Sequence, residues 1–296
     1  LQPRPMAKAR TLDRRRKSIR NIRKITRTME LISTARFKRA MDRAIAGAVY
    51  TRRIAALVRR LARTGLELGH PLLQPRTEMH RPMLLVLTAN RGLCGGYNSS
   101  VMRLACARRD SLLREVPEVR LEVSGKRGIA AFRFRGIQPE EQFTHFEDRP
   151  GYAEVELLAN RYLEAYQRGE LDQLDVVYAG FESLSRQQAV LETLLPLASI
   201  EELEEEPAAE PRYDFFPSPE RILDEVVPLS FKLKLFKCFL DMAVSEQIAR
   251  MMAMKAATEN ADAMISNLTI TYNRARQGQI TSELLEVISG AEALSK

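Results

Sequence analysis

The chain has 296 residues, 45% of them apolar and 28% charged, with 14 glycines and 14 prolines. That suffices for one large domain or two ordinary ones and excludes the collagenous, fully disordered and disulfide-rich secreted classes. Its formal net charge of +8 is unevenly held: residues 1 to 60 carry 19 Lys or Arg against three acids, Asp13, Glu30 and Asp42, so the remaining 236 residues are net acidic by eight.

Cys94, Cys106 and Cys238 form no CxxC pair, and His70, His80 and His145 lie in no ligand-spaced cluster, so no zinc site is expected. No stretch approaches the roughly 20 uncharged apolar residues of a membrane helix. Leu1 to Pro5 read as an upstream extension rather than a signal peptide, because no apolar core follows them. A soluble, cytosol-facing protein is the expectation. The basic N-terminal arm implies an anionic partner, and charge alone does not choose among nucleic acid, an anionic surface and an acidic protein.

The first element is a helix. From Met6 to His70 there is no proline and glycine only at 47, 65 and 69, so nothing stops it for some forty residues. Leu12, Ile19, Ile22, Ile25, Met29, Ile32, Ala40, Ala44 and Gly47 recur at intervals of three, four or seven and make one narrow stripe amid arginines and lysines. A narrow stripe is a seam against one partner helix rather than the broad face of a globular helix.

An alternating α/β pattern follows. Met83 to Thr88 is an apolar run bounded by Pro82 and a glycine-rich segment, as a buried parallel strand would be. Helices are predicted over Val101–Arg114 and Tyr152–Arg168, and strands over Arg120–Val123, Gln142–Phe146, Asp175–Tyr178 and Ala189–Leu197. The alternation implies a doubly wound sheet. Glu201 to Glu210 reads as a solvated acidic loop. After Pro228 no proline occurs through Lys296, leaving room for a helix of roughly 60 residues. Its stripe runs from Leu235, Phe239, Met242, Ala249, Met252 and Ala256 through Ala261, Met264, Leu268 and Ala275 to Ile280, Leu284, Val287, Ala291 and Leu294. Intervals near 3.5 imply a left-handed supercoil, and two terminal helices that each need a partner can satisfy one another.

The segment Arg91-Gly92-Leu93-Cys94-Gly95-Gly96-Tyr97-Asn98 joins a strand to a helix, where backbone N–H groups can cradle an anion. It matches neither GxxxxGK[ST] nor GxGxxG, so a tight structural turn is expected, with a nucleotide-binding enzyme as an alternative. Cys94 lacks an assignable base and reads as a small buried residue rather than a nucleophile. A nucleic-acid-binding coiled coil is the other alternative, although here charges and seam interleave over the same residues.

Three blocks carry a more specific signal. The segment from Ser18 to Ser33, the RGLCGGYN of residues 91 to 98, and the C-terminal pair Ser245–Asn260 and Tyr272–Thr281 together resemble the gamma subunits of F-type ATP synthases, in order and over essentially the whole chain. The resemblance implies a long antiparallel left-handed coiled coil of the N- and C-terminal helices plus a central Rossmann-like α/β domain with a mainly parallel sheet. The corresponding segments are 6–70, 80–200, a connector at 201–219, and 220–296.

It further implies a rotor shaft within a hexamer of alternating alpha and beta subunits, docked on the epsilon subunit and the ring of c subunits. Such a complex sits peripherally at the cytoplasmic face of a bacterial inner membrane. No catalytic residue, cofactor or metal of its own is implied. Arg23, Lys24, Arg27, Met29, Arg250, Arg276, Gln277, Thr281 and Glu283 match the family's contacts to the hexamer. Tyr213 and Phe215 match its foot, facing epsilon and the c ring, while Arg91, Gly92, Gly95 and Gly96 form a structural loop. Asn90 in place of the family's aspartate, Arg27-Thr28 in place of Lys-Ala, and Glu30 depart from the pattern. The cysteine pair of the chloroplast redox switch is not seen, so an unswitched, bacterial-type subunit is expected.

Overall fold

A computed structural model describes residues 9–63, 70–73, 76, 79–146, 149–183, 186–197 and 219–294. The acidic loop expected at 201–210, the connector with Tyr213 and Phe215, and residues 295–296 lie outside the described residues. Helix α1 spans Ala9–Arg63 and helix α5 spans Pro219–Leu294; between them lie β1 (Pro82–Leu87), α2 (Tyr97–Glu115), β2 (Arg120–Ser124), α3 (Lys126–Phe134), β3 (Glu141–Phe143), α4 (Tyr152–Gln167), β4 (Gln173–Phe181) and β5 (Gln187–Leu195). The chain divides into two compact units, one of residues 1–32 with 251–296 and the other of residues 33–250.

The larger unit holds a five-stranded sheet in the order β3-β2-β1-β4-β5. β1 pairs in parallel with β2 and β4, β2 pairs in parallel with β3, and β5 closes the edge antiparallel to β4. The central strand β1, PMLLVL, is buried along its entire length, as a parallel strand covered on both faces must be. Alternate residues of β2 identify those covers. Val123 lies against Gly128 of α3, whereas the carboxylate of its neighbour Glu122 accepts hydrogen bonds from Arg161 and Tyr162 of α4. Successive side chains of a strand point to opposite faces, so α3 and α4 cover opposite sides.

Each covering helix presents one apolar stripe. In α4 it is Val155, Leu158, Ala159, Tyr162, Leu163 and Tyr166, and in the first half of α5 Leu223, Val227, Phe231, Leu235, Phe239 and Met242, all buried at the spacing that puts side chains on one helix face. α3, absent from the sequence expectation, is a nine-residue helix whose Gly128 allows it to lie against Thr88 and Val123, since an added Cβ would come within 2.5 Å of the Thr88 hydroxyl oxygen. Its sequence KRGIAAFRF carries too short an apolar pattern around an internal glycine to read as a helix. α5 starts at Pro219, ahead of the proline-free stretch, and passes through Pro228. A proline suits a first turn, and the second one removes a single intrahelical bond without ending a helix held by its buried stripe.

In the smaller unit the terminal segments of α1 and α5 meet through pairs whose α5 number falls as the α1 number rises. Arg16 stacks on the Tyr272 ring at 4.7 Å, Arg23 pairs with Asp262, and the Thr258 hydroxyl donates to that of Thr26 at 2.9 Å. The buried positions follow the expected stripe only in part. Leu12 and Ala261 are buried as expected and Thr26, Met254 and Thr258 are buried with them, whereas Ile22, Ile25, Ile32, Met252, Met264, Ile280, Leu284 and Val287 are exposed. Small and hydroxylated residues let two helices approach closely and bond to each other, so the seam takes the threonines and leaves the isoleucines outside.

Candidate functional site

Two regions hold the residues singled out in the sequence: the outer faces of the terminal helix segments, and the loop after β1.

On α1, Arg23, Lys24 and Arg27 are exposed and Met29 is half-buried. Arg27 pairs with Glu30 at 2.8 Å, so two of the departures from the family pattern answer each other one turn apart. On α5, Arg276, Gln277, Thr281 and Glu283 are all exposed. The Thr281 hydroxyl donates to the Gln277 carbonyl at 3.0 Å, and Gln279 donates to the Glu283 carboxylate at 2.9 Å. Interspersed with these polar groups stand the exposed Ile22, Ile25, Leu31 and Met264, a surface in which cations and large apolar side chains alternate. Such faces are suited to burial against another protein.

The loop after β1 is a tightly bonded turn. Leu93 and Gly95 take positive φ, 65° and 55°, the left-handed conformation that glycine adopts without penalty. The Tyr97 N–H donates to the Cys94 carbonyl, the Ser100 N–H to the Gly96 carbonyl, and the Asn98 side chain accepts from the Ala89 N–H. Gly92 lies against the Arg127 guanidinium, 2.9 Å from where a Cβ would stand; Gly96 has room for one, and Arg91 is exposed. Asn90 donates to the carbonyls of Thr144 and Phe146 at 3.1 and 3.0 Å and accepts from the Lys126 N–H. It thereby ties the loop to the segment after β3. Aspartate would have no proton for either carbonyl.

Arg250 stands apart from the other expected contact residues, being 5% exposed. Its Nε donates to the Gly92 carbonyl and a terminal nitrogen to the Arg91 carbonyl, both at 3.3 Å, while the same terminal nitrogen meets the Glu246 carboxylate at 2.6 Å. The Tyr97 hydroxyl reaches the Met242 carbonyl from the same loop at 3.5 Å. The loop thus lies at the carboxyl end of β1, beside the point where strand order reverses between β2 and β4, the usual ligand crevice of such sheets. Here α5 supplies a guanidinium to its carbonyls. Burial pushes the Cys94 thiol up against the pull of Arg250, the opposite of what an activated thiolate requires. Among the described residues, no cluster of His, Cys, Asp or Glu is arranged to hold a metal, all three cysteines are free, and no helix is long and apolar enough to cross a membrane.

Sequence reasoning found the loop and the exposed faces. It missed Glu246, Arg127 and the inward turn of Arg250. The available signal was an acid four residues before an arginine, which reads equally well as a surface pair.

Comparison with known proteins bears directly on these two regions. A family model described as ATP synthase matches residues 8–294. The "ATP synthase gamma chain" of Rhodopirellula baltica is 57% identical over 295 residues, covering 98% of this chain and 99% of that one. The protein of the same name from Leptospira biflexa is 35% identical, covering 98% and 100%. Among solved structures, a chain of the Euglena gracilis mitochondrial ATP synthase OSCP/F1/c-ring assembly is similar at a TM-score of 0.65 and 16% identity, covering 97% of this chain and 94% of its own. A chain from the central stalk and c ring of the Tetrahymena thermophila enzyme gives a TM-score of 0.54 at 18% identity, covering 79% and 99%. At these identities the structures speak for the fold.

Proposed function

The chain belongs to the ATP synthase gamma-chain family, and from that membership we propose the part it plays: the central rotor shaft of the F1 sector. It couples ion-driven turning of the c ring to the conformational cycle of the catalytic beta subunits, and runs in reverse when ATP is hydrolysed. Its partners are the alpha and beta subunits, the epsilon subunit and the c-subunit ring. The chain contributes no catalytic residue of its own, and the complex holds it peripherally at the cytoplasmic face of a bacterial inner membrane.

One observation carries this reading: the unit built from residues 9–32 and 251–294 turns basic and large apolar side chains outward along two helices. A shaft works by differential contact. If its surface met every beta conformer equally it would shift no equilibrium, so it must show different faces to different subunits. The descending order of the α1–α5 partners supports an antiparallel coiled coil, whose left hand rests on the family resemblance, and the 3-2-1-4 order of the parallel strands supports a Rossmann-like domain. We assign the functional division to segments 6–70, 80–200, 201–219 and 220–296.

Arg23, Lys24, Arg27, Met29, Arg276, Gln277, Thr281 and Glu283 are the contacts we assign to the hexamer. Exposed ion pairs contribute about 0–1 kcal/mol each, which tunes coupling rather than assembly. Arg250 is assigned to the same contact surface through the loop carbonyls it organises. Tyr213 and Phe215 are assigned to epsilon and the c ring. Purification of the complex from membranes is the direct test. One copy of this chain per three alpha and three beta subunits supports the reading, and recovery of the chain free of alpha and beta subunits contradicts it.

A further inference from the structure

From Lys126 to Gln138 the chain reads KRGIAAFRFRGIQ, with four cations and no carboxylate. Ile129 and Phe132 of α3 are buried, which leaves Lys126, Ala130, Arg133 and Phe134 exposed on the outer side of that helix. Phe134 is 93% exposed, more than any other exposed large apolar side chain among the described residues; Leu157 follows at 73%. Arg127 turns back toward Gly92, whereas the side chains of Lys126, Arg133 and Arg135 make no ion pair or hydrogen bond among the described residues. The next acid in the chain, Glu140, is engaged by Arg120 at 2.9 Å.

The helix dipole favours cations at a C-terminus whatever lies beyond it, so the arginines alone would mark nothing. Phe134 is different, because its ring covers almost none of its own protein and keeps the full hydration cost of an apolar surface. Gly136, at φ 73°, turns the chain immediately afterwards, with nothing within 4 Å of where its Cβ would stand. The ring therefore stands at an open corner, flanked in sequence by two unpaired guanidinium groups. At the same sheet edge α2 ends in Leu113-Arg114-Glu115, all exposed, so α2 adds as much negative charge there as positive. The cationic excess is that of α3.

We propose that this corner is an interfacial anchor for a bilayer surface bearing anionic phospholipid headgroups. The ring enters the boundary between headgroups and acyl chains, and Arg133 and Arg135 engage phosphates beside it, each with a rigid fork that holds two oxygens. A protein partner would meet an apolar centre of several side chains within a polar rim, and around Phe134 the exposed neighbours in sequence are two arginines and a glycine. A bilayer interface needs no matching pocket: it accepts single aromatic rings at headgroup level and attracts cations. The inference goes beyond the rotor reading and does not need it.

The test uses the full chain, which has no tryptophan, so Phe134→Trp supplies one fluorophore at a site where nothing is packed. It is titrated with phosphatidylcholine vesicles containing phosphatidylglycerol. The emission should move to shorter wavelength and be quenched by bromine atoms placed on the lipid chains close to the headgroups. Adding Arg133→Gln with Arg135→Gln should raise the lipid needed for the same shift at least about tenfold, since each cation near an anionic surface contributes roughly a fivefold preference. Attraction between the basic α1 and the same vesicles brings the chain to the surface but does not take residue 134 out of water. Leu157→Trp, on α4 across the sheet, should keep its aqueous emission. Unshifted emission from Phe134→Trp, an equal shift from Leu157→Trp, or no effect of the arginine pair would overturn the proposal. A shift that appears with purified epsilon subunit and not with vesicles would assign the corner to a protein partner and overturn it as well.

Discussion

Arg250 and Glu246 form an ion pair across one turn of α5 at 2.6 Å, with both side chains less than a tenth exposed, and the same guanidinium holds the carbonyls of Arg91 and Gly92. Removing the arginine takes one charged donor from a buried carboxylate and from two loop carbonyls. Arg250→Ala should therefore destabilise the chain by about 3–5 kcal/mol, whereas Glu246→Gln, which keeps an acceptor, should cost less. Thermal unfolding of the two variants gives the ranking. Equal, small effects would mean that the pair contributes little to holding α5 on the loop.

Asn90 makes a second prediction. Its amide donates to two carbonyls of the segment after β3, and aspartate would set a charged acceptor against both. Asn90→Asp should cost about 1–3 kcal/mol at neutral pH, read as a fall in the urea midpoint at unchanged slope. The residue that departs from the family pattern is thus the one this loop is bonded to use.

How far these features could be read from the sequence depended on the kind of signal each element carries. Met83–Thr88 was legible because a strand covered on both faces must be continuously apolar, and the structure places β1 at Pro82–Leu87. The terminal helices were legible from missing prolines and glycines. Their seam was not, because Thr26 and Thr258 look polar on any hydropathy scale and are buried by bonding to one another or to the helix backbone. Arg250 was misleading for the converse reason: an arginine on a long helix looks like surface until the loop it bonds, some 160 residues earlier, is folded beside it.

A pH dependence follows from Glu122, buried in β2 beneath Arg161 and Tyr162. Burial raises its carboxyl above the ordinary value, and the hydrogen bond from Tyr162 and the charge of Arg161 only partly oppose this. A carboxyl whose folded value is raised binds its proton more tightly in the folded chain. The folded state is therefore favoured below the unfolded value, and that advantage is lost as pH rises through the window up to the folded value. Stability should fall with pH across this window in the wild type, and the slope should diminish in Glu122→Gln. An unchanged slope in the variant would assign the dependence to another group, such as Asp241, whose carboxyl burial also raises.

The outward isoleucines separate stability from function. Ile22 and Ile25 are 48% and 59% exposed, so Ile22→Ser with Ile25→Ser should change stability by no more than about 0.5 kcal/mol per site. If these side chains press on the hexamer, the variant complex should hydrolyse ATP while pumping fewer ions per ATP. Unaltered coupling would remove them from the contact surface.

The central claim is that this chain turns. With the alpha–beta hexamer fixed to a surface and a visible probe attached to the chain, addition of ATP should drive continuous rotation in one direction. The rotation should stop when hydrolysis is inhibited. Hydrolysis by the same immobilised complexes with the probe stationary would contradict the account.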